Sequence, residues 1–134
     1  MKLEPIVKTF YDNLENGTLV GRRCLECGNI EFPPHPACNA CGYRDTEWCE
    51  LSGDGEVIDF VLPGTMGARP NLDARGDYAY GTVRLAEGPT FKCVIFGIGA
   101  DNAQDVRDHL PLPVRPRIEH EEPGNYPALY FQLA

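Results

Sequence analysis

Four of the six cysteines in this 134-residue chain stand in two matching pairs, Cys24-Leu25-Glu26-Cys27-Gly28 and Cys38-Asn39-Ala40-Cys41-Gly42, with ten residues between them. A CxxC knuckle sets two sulfurs on one ion, and two knuckles supply the four donors of a tetrahedral thiolate site. Glycine after each second cysteine fits, because the turn there calls for a positive φ. Pro33, Pro34 and Pro36 stiffen the connecting segment and leave little flexible chain between the knuckles. The chemistry implied is metal binding by Cys24, Cys27, Cys38 and Cys41, with zinc as the default ion. Iron is the alternative, because all-thiolate knuckles also occur in rubredoxin-like electron carriers; colour separates the two, since iron tetrathiolate is red. With sulfur in every ligand position, no place remains for water or substrate, so the ion is expected to be structural.

The remaining thiols make poor nucleophiles on paper. Cys93 lies inside the apolar run FKCVIFGI and reads as a core residue, while Cys49 follows Trp48 with no spaced partner. A catalytic thiol needs a base beside it, and nothing in the spacing sets His35, His109 or His120 next to either. His35, in the proline-rich step, is expected at the surface. Phosphate-cradling, nucleophile-elbow and HExxH motifs are missing, as are paired carboxylates, so the chain is expected not to be catalytic alone.

Composition narrows the partners. Twelve basic against twenty acidic residues give a formal charge of −8, and the only basic neighbours are Arg22-Arg23. Such a chain repels phosphate backbones. A single-stranded nucleic-acid-binding module stays as the alternative function, since ribbons and OB barrels both bind single strands over aromatic platforms, but charge argues against nucleic acid as a partner. No apolar run approaches a membrane span, and the opening residues MKLEPIVKTFYDNLENG mix charge throughout, without a signal core. A cytoplasmic location and no membrane partner are the expectation, and reduced cytosolic thiols agree with a metal site rather than disulfides.

Three segments must position the cysteines. Residues 1–18 read as an amphipathic helix: Leu3, Ile6, Val7, Phe10, Tyr11 and Leu14 recur at steps of three and four, Pro5 suits the first turn, and Asn16-Gly17 supplies a left-handed stop. The stripe either packs on the protein's own body, as single amphipathic helices usually do, or docks on a partner. Residues 19–50 form the zinc ribbon. From residue 51 to 134 the pattern shifts to period two, with strands expected at 55–62, 78–86, 90–98, 113–120 and 127–133. A short helix over 101–109, capped by Asp101 or Asn102, falls between the third and fourth strands, which is the element order of an OB-fold barrel. The expected fold is therefore mainly β: a helix, a rubredoxin-like ribbon and a five-stranded OB barrel. The link 63–77 is long and rich in glycine and proline, as functional loops often are.

Taken together, the run GTLVGRRCLECGNIEFPPHPACNACGYRDTEWCELSGDGEVIDF resembles the zinc-ribbon/OB-fold acyl-CoA-associated family, long catalogued as a domain of unknown function. The likeness rests on the leading helix, both CxxCG knuckles, the FPP step, Glu47-Trp48, the Ser52-Gly53 turn and the later YAYGTVRLAEGP strand and turn. It departs in the 63–77 loop and at Leu110-Pro111-Leu112-Pro113, where the family carries a glycine-methionine-proline step. The resemblance implies a non-catalytic subunit that forms a hetero-oligomer with a thiolase-fold partner. Such partners include acetoacetyl-CoA thiolases, retro-aldolases of steroid side-chain breakdown and the thiolase ending anaerobic toluene degradation. The partner would carry out C–C bond cleavage or formation on an acyl-CoA and supply the catalytic residues. Within that picture Arg69 and Arg75 are candidates to meet the CoA phosphates, because arginine grips phosphate through two parallel bonds. The competing reading leaves both in water.

Overall fold

Helix α1 runs Pro5–Glu15 in the computed structural model, which describes residues 5–35, 37–42, 44–63, 76–120 and 126–134. Asn16-Gly17 ends it as expected. Gly17 takes φ 82°, its N–H bonds the Leu14 carbonyl at 2.9 Å, and the Thr18 N–H bonds that of Asn13 at 2.9 Å. This pair of reversed bonds satisfies the last helical carbonyls. Phe10 and Leu14 are buried in the main core and Tyr11 packs against it, so these three residues of the stripe serve the protein's own body. Leu3 and Pro36 lie outside the described residues.

The ribbon is a three-stranded antiparallel sheet in the order β2-β1-β3, with β1 at Leu19–Cys24, β2 at Ile30–Glu31 and β3 at Thr46–Leu51. Strand β1 pairs along its whole length with β3, from Leu19 opposite Leu51 to Cys24 opposite Thr46. The first ligand cysteine thus stands at the end of a fixed strand rather than in a free loop.

Five strands close the barrel: β4 Gly55–Val61, β5 Tyr78–Leu85, β6 Thr90–Phe96, β7 Leu112–Glu119 and β8 Ala128–Leu133. Their order is β4-β5-β6-β8-β7, with β7 returning to β4 and β8 lying parallel to β6. Period-two alternation sends Val57, Ala79, Val83, Leu85, Ile95 and Phe131 inward, each at most 2% exposed. The register shifts between Val57 and Asp59, where the strand bends around Gly81. A Cβ at Gly81 would lie 2.7 Å from the Asp59 carbonyl, so only glycine fits this crossing.

Helix α2, Ala103–Asp108, follows β6, and its Ala103 and Val106 join the core. The expected cap is altered. Asn102 holds the N-cap position but makes no side-chain cap bond. Its carboxamide turns back, accepting from the Gly99 N–H at 2.8 Å and donating to the Gly97 carbonyl at 2.9 Å. The turn leaving β6 claims the side chain that sequence reasoning gave to the helix. Residues 64–75, with Arg69 and Arg75, lie outside the described residues. Among the described residues no helix is long and apolar enough to cross a membrane.

Candidate metal centre

The end of β1 and the turn after it form the first knuckle. The Gly28 N–H bonds the Cys24 carbonyl at 3.0 Å, and in the second knuckle the Gly42 N–H bonds that of Cys38 at 2.8 Å. Both glycines adopt positive φ, 76° and 80°, as the repeated motif requires. Backbone amides also point at sulfur: Glu26 and Cys27 N–H lie 3.4 and 3.5 Å from Cys24 Sγ, and Ala40 N–H lies 3.3 Å from Cys38 Sγ. Such donors stabilise thiolates, the form that binds metal.

All four sulfurs lie within 4.8 Å of one another; Cys24 Sγ is 3.7 Å from Cys41 Sγ, and Cys27 Sγ is 3.5 Å from Cys38 Sγ. A zinc ion bonded to four sulfurs at about 2.3 Å needs tetrahedral edges of roughly 3.8 Å. The donor set therefore fits zinc. The Cys41 N–H, with further help from Ala40, holds the Cys38 thiol down to about 6 against burial. Cys24 and Cys38 are buried, while Cys27 and Cys41 reach the surface. Four sulfurs complete the shell, so the ion's work is structural.

Two residues that sequence reasoning overlooked lock the knuckles together. One carboxylate oxygen of Glu31, on β2, accepts from the Asn39 N–H at 2.7 Å and from the Asn29 carboxamide at 3.1 Å. The same Asn29 amide points at Cys38 Sγ, 3.7 Å away. Two polar side chains flanking Ile30 in an otherwise apolar step were the available signal. Metal-site partners of this kind orient ligands.

The other candidates scatter. Cys93 packs against the barrel core, and burial pushes its thiol up to about 12, far from a nucleophilic thiolate. Cys49 is buried on β3. His35 is exposed as expected and contacts Ala37; His109 engages Asp105, and His120 pairs with Glu15 at 2.9 Å. Each imidazole is thus occupied away from both thiols. Phe32 is 4% exposed and wedged between Phe10 and Phe91 at ring distances of 5.7 and 5.2 Å. Trp48 does reach the surface, with the Arg22 guanidinium 4.7 Å over its ring.

Comparison with known proteins gives the same architecture. Residues 13–47 match the family model described as the ChsH2 rubredoxin-like zinc ribbon domain. A probable enoyl-CoA hydratase alpha subunit of Thermomonospora curvata is 27% identical over 124 residues, covering 84% of this chain and 38% of that protein. A DUF35 domain-containing scaffold protein of Pyrococcus furiosus is 33% identical over 75 residues, covering 56% of this chain and 53% of its own length. The chain thus spans between about a third and somewhat over half of these relatives. Among solved structures, the Ltp2-ChsH2(DUF35) aldolase superposes with a TM-score of 0.75 at 22% identity, covering 99% of this chain and 98% of that one. A DUF35-family protein of Sulfolobus solfataricus superposes at 0.59 with 14% identity, covering 97% and 86%. These two show a shared fold.

Proposed function

We propose that this chain, similar to the ChsH2 zinc ribbon and the DUF35 scaffold proteins, is a non-catalytic subunit of an acyl-CoA enzyme complex. Its partner is a thiolase-fold enzyme that makes or breaks a C–C bond on an acyl-CoA. The observation that carries this reading is the closed tetrathiolate centre: the described residues place their most reactive donors where they hold an ion and nothing else. Cys93, packed against the core, is tuned away from reactivity, and the histidines are engaged elsewhere. The relatives' names, hydratase subunit, scaffold and aldolase, point to acyl-CoA and carbon–carbon chemistry carried out with partners.

Within the complex, Arg69 and Arg75 meet the CoA phosphates. Alanine at either position is expected to raise KM for the acyl-CoA without loosening the complex. Unchanged KM would leave both arginines in solvent.

Among the described residues, the barrel's packed outer rings argue against the nucleic-acid alternative. The outer aromatic cluster, Tyr78, Phe96 and Tyr130, is at most 5% exposed and packs edge to face within itself, so those rings offer no platform to bases. The test is co-expression with a thiolase-fold acyl-CoA enzyme. A stable hetero-oligomer that turns over acyl-CoA, with neither subunit active alone, supports the proposal. Turnover by this chain alone, or failure to associate, refutes it.

A further inference from the structure

The described residues include four exposed large apolar side chains, Leu25, Trp48, Val61 and Tyr126. Two of them, Leu25 at 57% and Trp48 at 38% exposure, line one groove of about 510 Å³ between α1 and the first knuckle. Ile6 and Thr9 of the helix form the facing wall. Arg22 and Arg44 also line it. Arg22 is pre-set: its Nε donates to Thr46 Oγ1 at 2.9 Å, a terminal nitrogen donates to the Thr46 carbonyl at 2.6 Å, and the guanidinium lies over the indole. The partners facing each other across β1 and β3 are Arg22 and Trp48, so backbone register fixes the pair.

Charge says what should cover this groove. The chain carries −8, yet here two guanidiniums stand against a single lining carboxylate, Asp45. Among the described residues neither arginine forms an ion pair, whereas Arg23, Arg84 and Arg117 do. An exposed tryptophan with rigid arginine beside it is the composition of an interface hot spot. Ordering Arg22 in advance lowers the entropy cost of docking.

We infer that the groove between α1 and the first knuckle, floored by Trp48 and Arg22 and edged by Leu25 and Arg44, is the surface that receives the partner enzyme, through an apolar segment bearing a carboxylate. This rests on the subunit reading above and adds where, and by what chemistry, the partner binds. The apolar side chains of that segment cover the indole and Leu25, and its carboxylate meets the guanidiniums.

Trp48 is the sole tryptophan, so the chain carries its own reporter. The probe is the thiolase-fold subunit used in the co-expression test, titrated into zinc-loaded protein labelled with 5-fluorotryptophan, with complex formation followed separately by size. The Trp48 fluorine resonance is expected to shift as the complex forms. Arg44→Glu and Leu25→Glu, both on exposed side chains, should each weaken association by about tenfold or more, while Val61→Asp on the barrel stays within about twofold. The association rate of the native chain should fall with salt more steeply than that of Arg44→Glu. A complex that leaves the resonance unmoved, or that Val61→Asp weakens more than the groove variants do, overturns the inference and leaves the subunit reading intact. A resonance that moves with chain concentration alone, or with free CoA alone, assigns the groove to a second copy or to a small anion and also overturns it. Failure of the native chain to form any complex defeats the subunit reading itself, and this inference with it.

Discussion

Between Leu19 and Leu51 the ribbon buries few apolar side chains beyond its inner cysteines: Leu19, Val20, Phe32, Cys49 and Leu51. The barrel encloses a continuous core, with Val57, Ala79, Val83, Ile95, Ile98 and Phe131 at 0% exposure. The ribbon's sheet is three strands wide with one strand of only two residues, whereas the barrel has no free edge. Small sheets of that kind rarely hold by burial alone. The ribbon's buried side chains join the same core as the barrel's, so the regions differ in that the ribbon adds a metal to the burial they share. An aromatic chain joins them, running from Phe10 through Phe32 and Phe91 to Phe131 at ring distances of 5.7, 5.2 and 6.2 Å.

The largest effect should come from the ribbon. Cys38→Ala removes a buried ligand from a site whose metal supplies on the order of 10–16 kcal/mol of folding energy. Metal analysis should show stoichiometric zinc in the native chain and essentially none in the variant. Stoichiometric iron and a red colour would point to the electron-carrier alternative instead. In the barrel, Phe131→Ala opens a cavity at a fully buried position and should cost about 3–5 kcal/mol in denaturant unfolding while zinc content stays unchanged. A loss of zinc in that variant would mean that the two regions are not separable.

How far each region was legible beforehand follows from the same contrast. The knuckles were readable because a CxxCG turn is a local object whose glycines and sulfurs sit within five residues. The helix stop at Asn16-Gly17 and the barrel strands were readable for a similar reason, since period-two alternation is written along the chain. What escaped depends on register. The burial of Phe32 between Phe10 of α1 and Phe91 of β6 is not written in its own segment, and Trp48 could not be matched with Arg22 without knowing that β1 and β3 pair. Asn102 does hold the N-cap position, but its carboxamide bonds the turn after β6 instead of the helix, a competition the sequence does not show. Glu31 ties the two knuckles together through partners eight and two residues away, a link its own segment does not announce.

Smaller effects sharpen the comparison. A double-mutant cycle on Phe32 and Phe91 measures the joint between the regions, and an edge-to-face pair at 5.2 Å should show about 0.5–1.5 kcal/mol of coupling. Zero coupling would make the ribbon and barrel mere neighbours. The smallest effect belongs to His109 on the exposed end of α2, where bonding to the Asp105 carbonyl, then the charge of the Asp105 carboxylate, raises its pKa. A raised folded pKa stabilises the fold fully below the ordinary value of 6.5, and the contribution is lost as pH climbs through the higher folded value. Melting temperatures of native and His109→Asn chains should therefore differ slightly at pH 5.5 and converge by about pH 8. A gap that widens with pH would reverse the sign of this account.

The division of labour between metal and core can be tested in one experiment, by following backbone hydrogen exchange in the zinc-loaded chain before and after a strong chelator strips the ion. Amides of β1 and β3 should lose their protection while those of β5 and β6 keep theirs. Collapse of the barrel together with the ribbon, or a ribbon that stays protected without its metal, would contradict it.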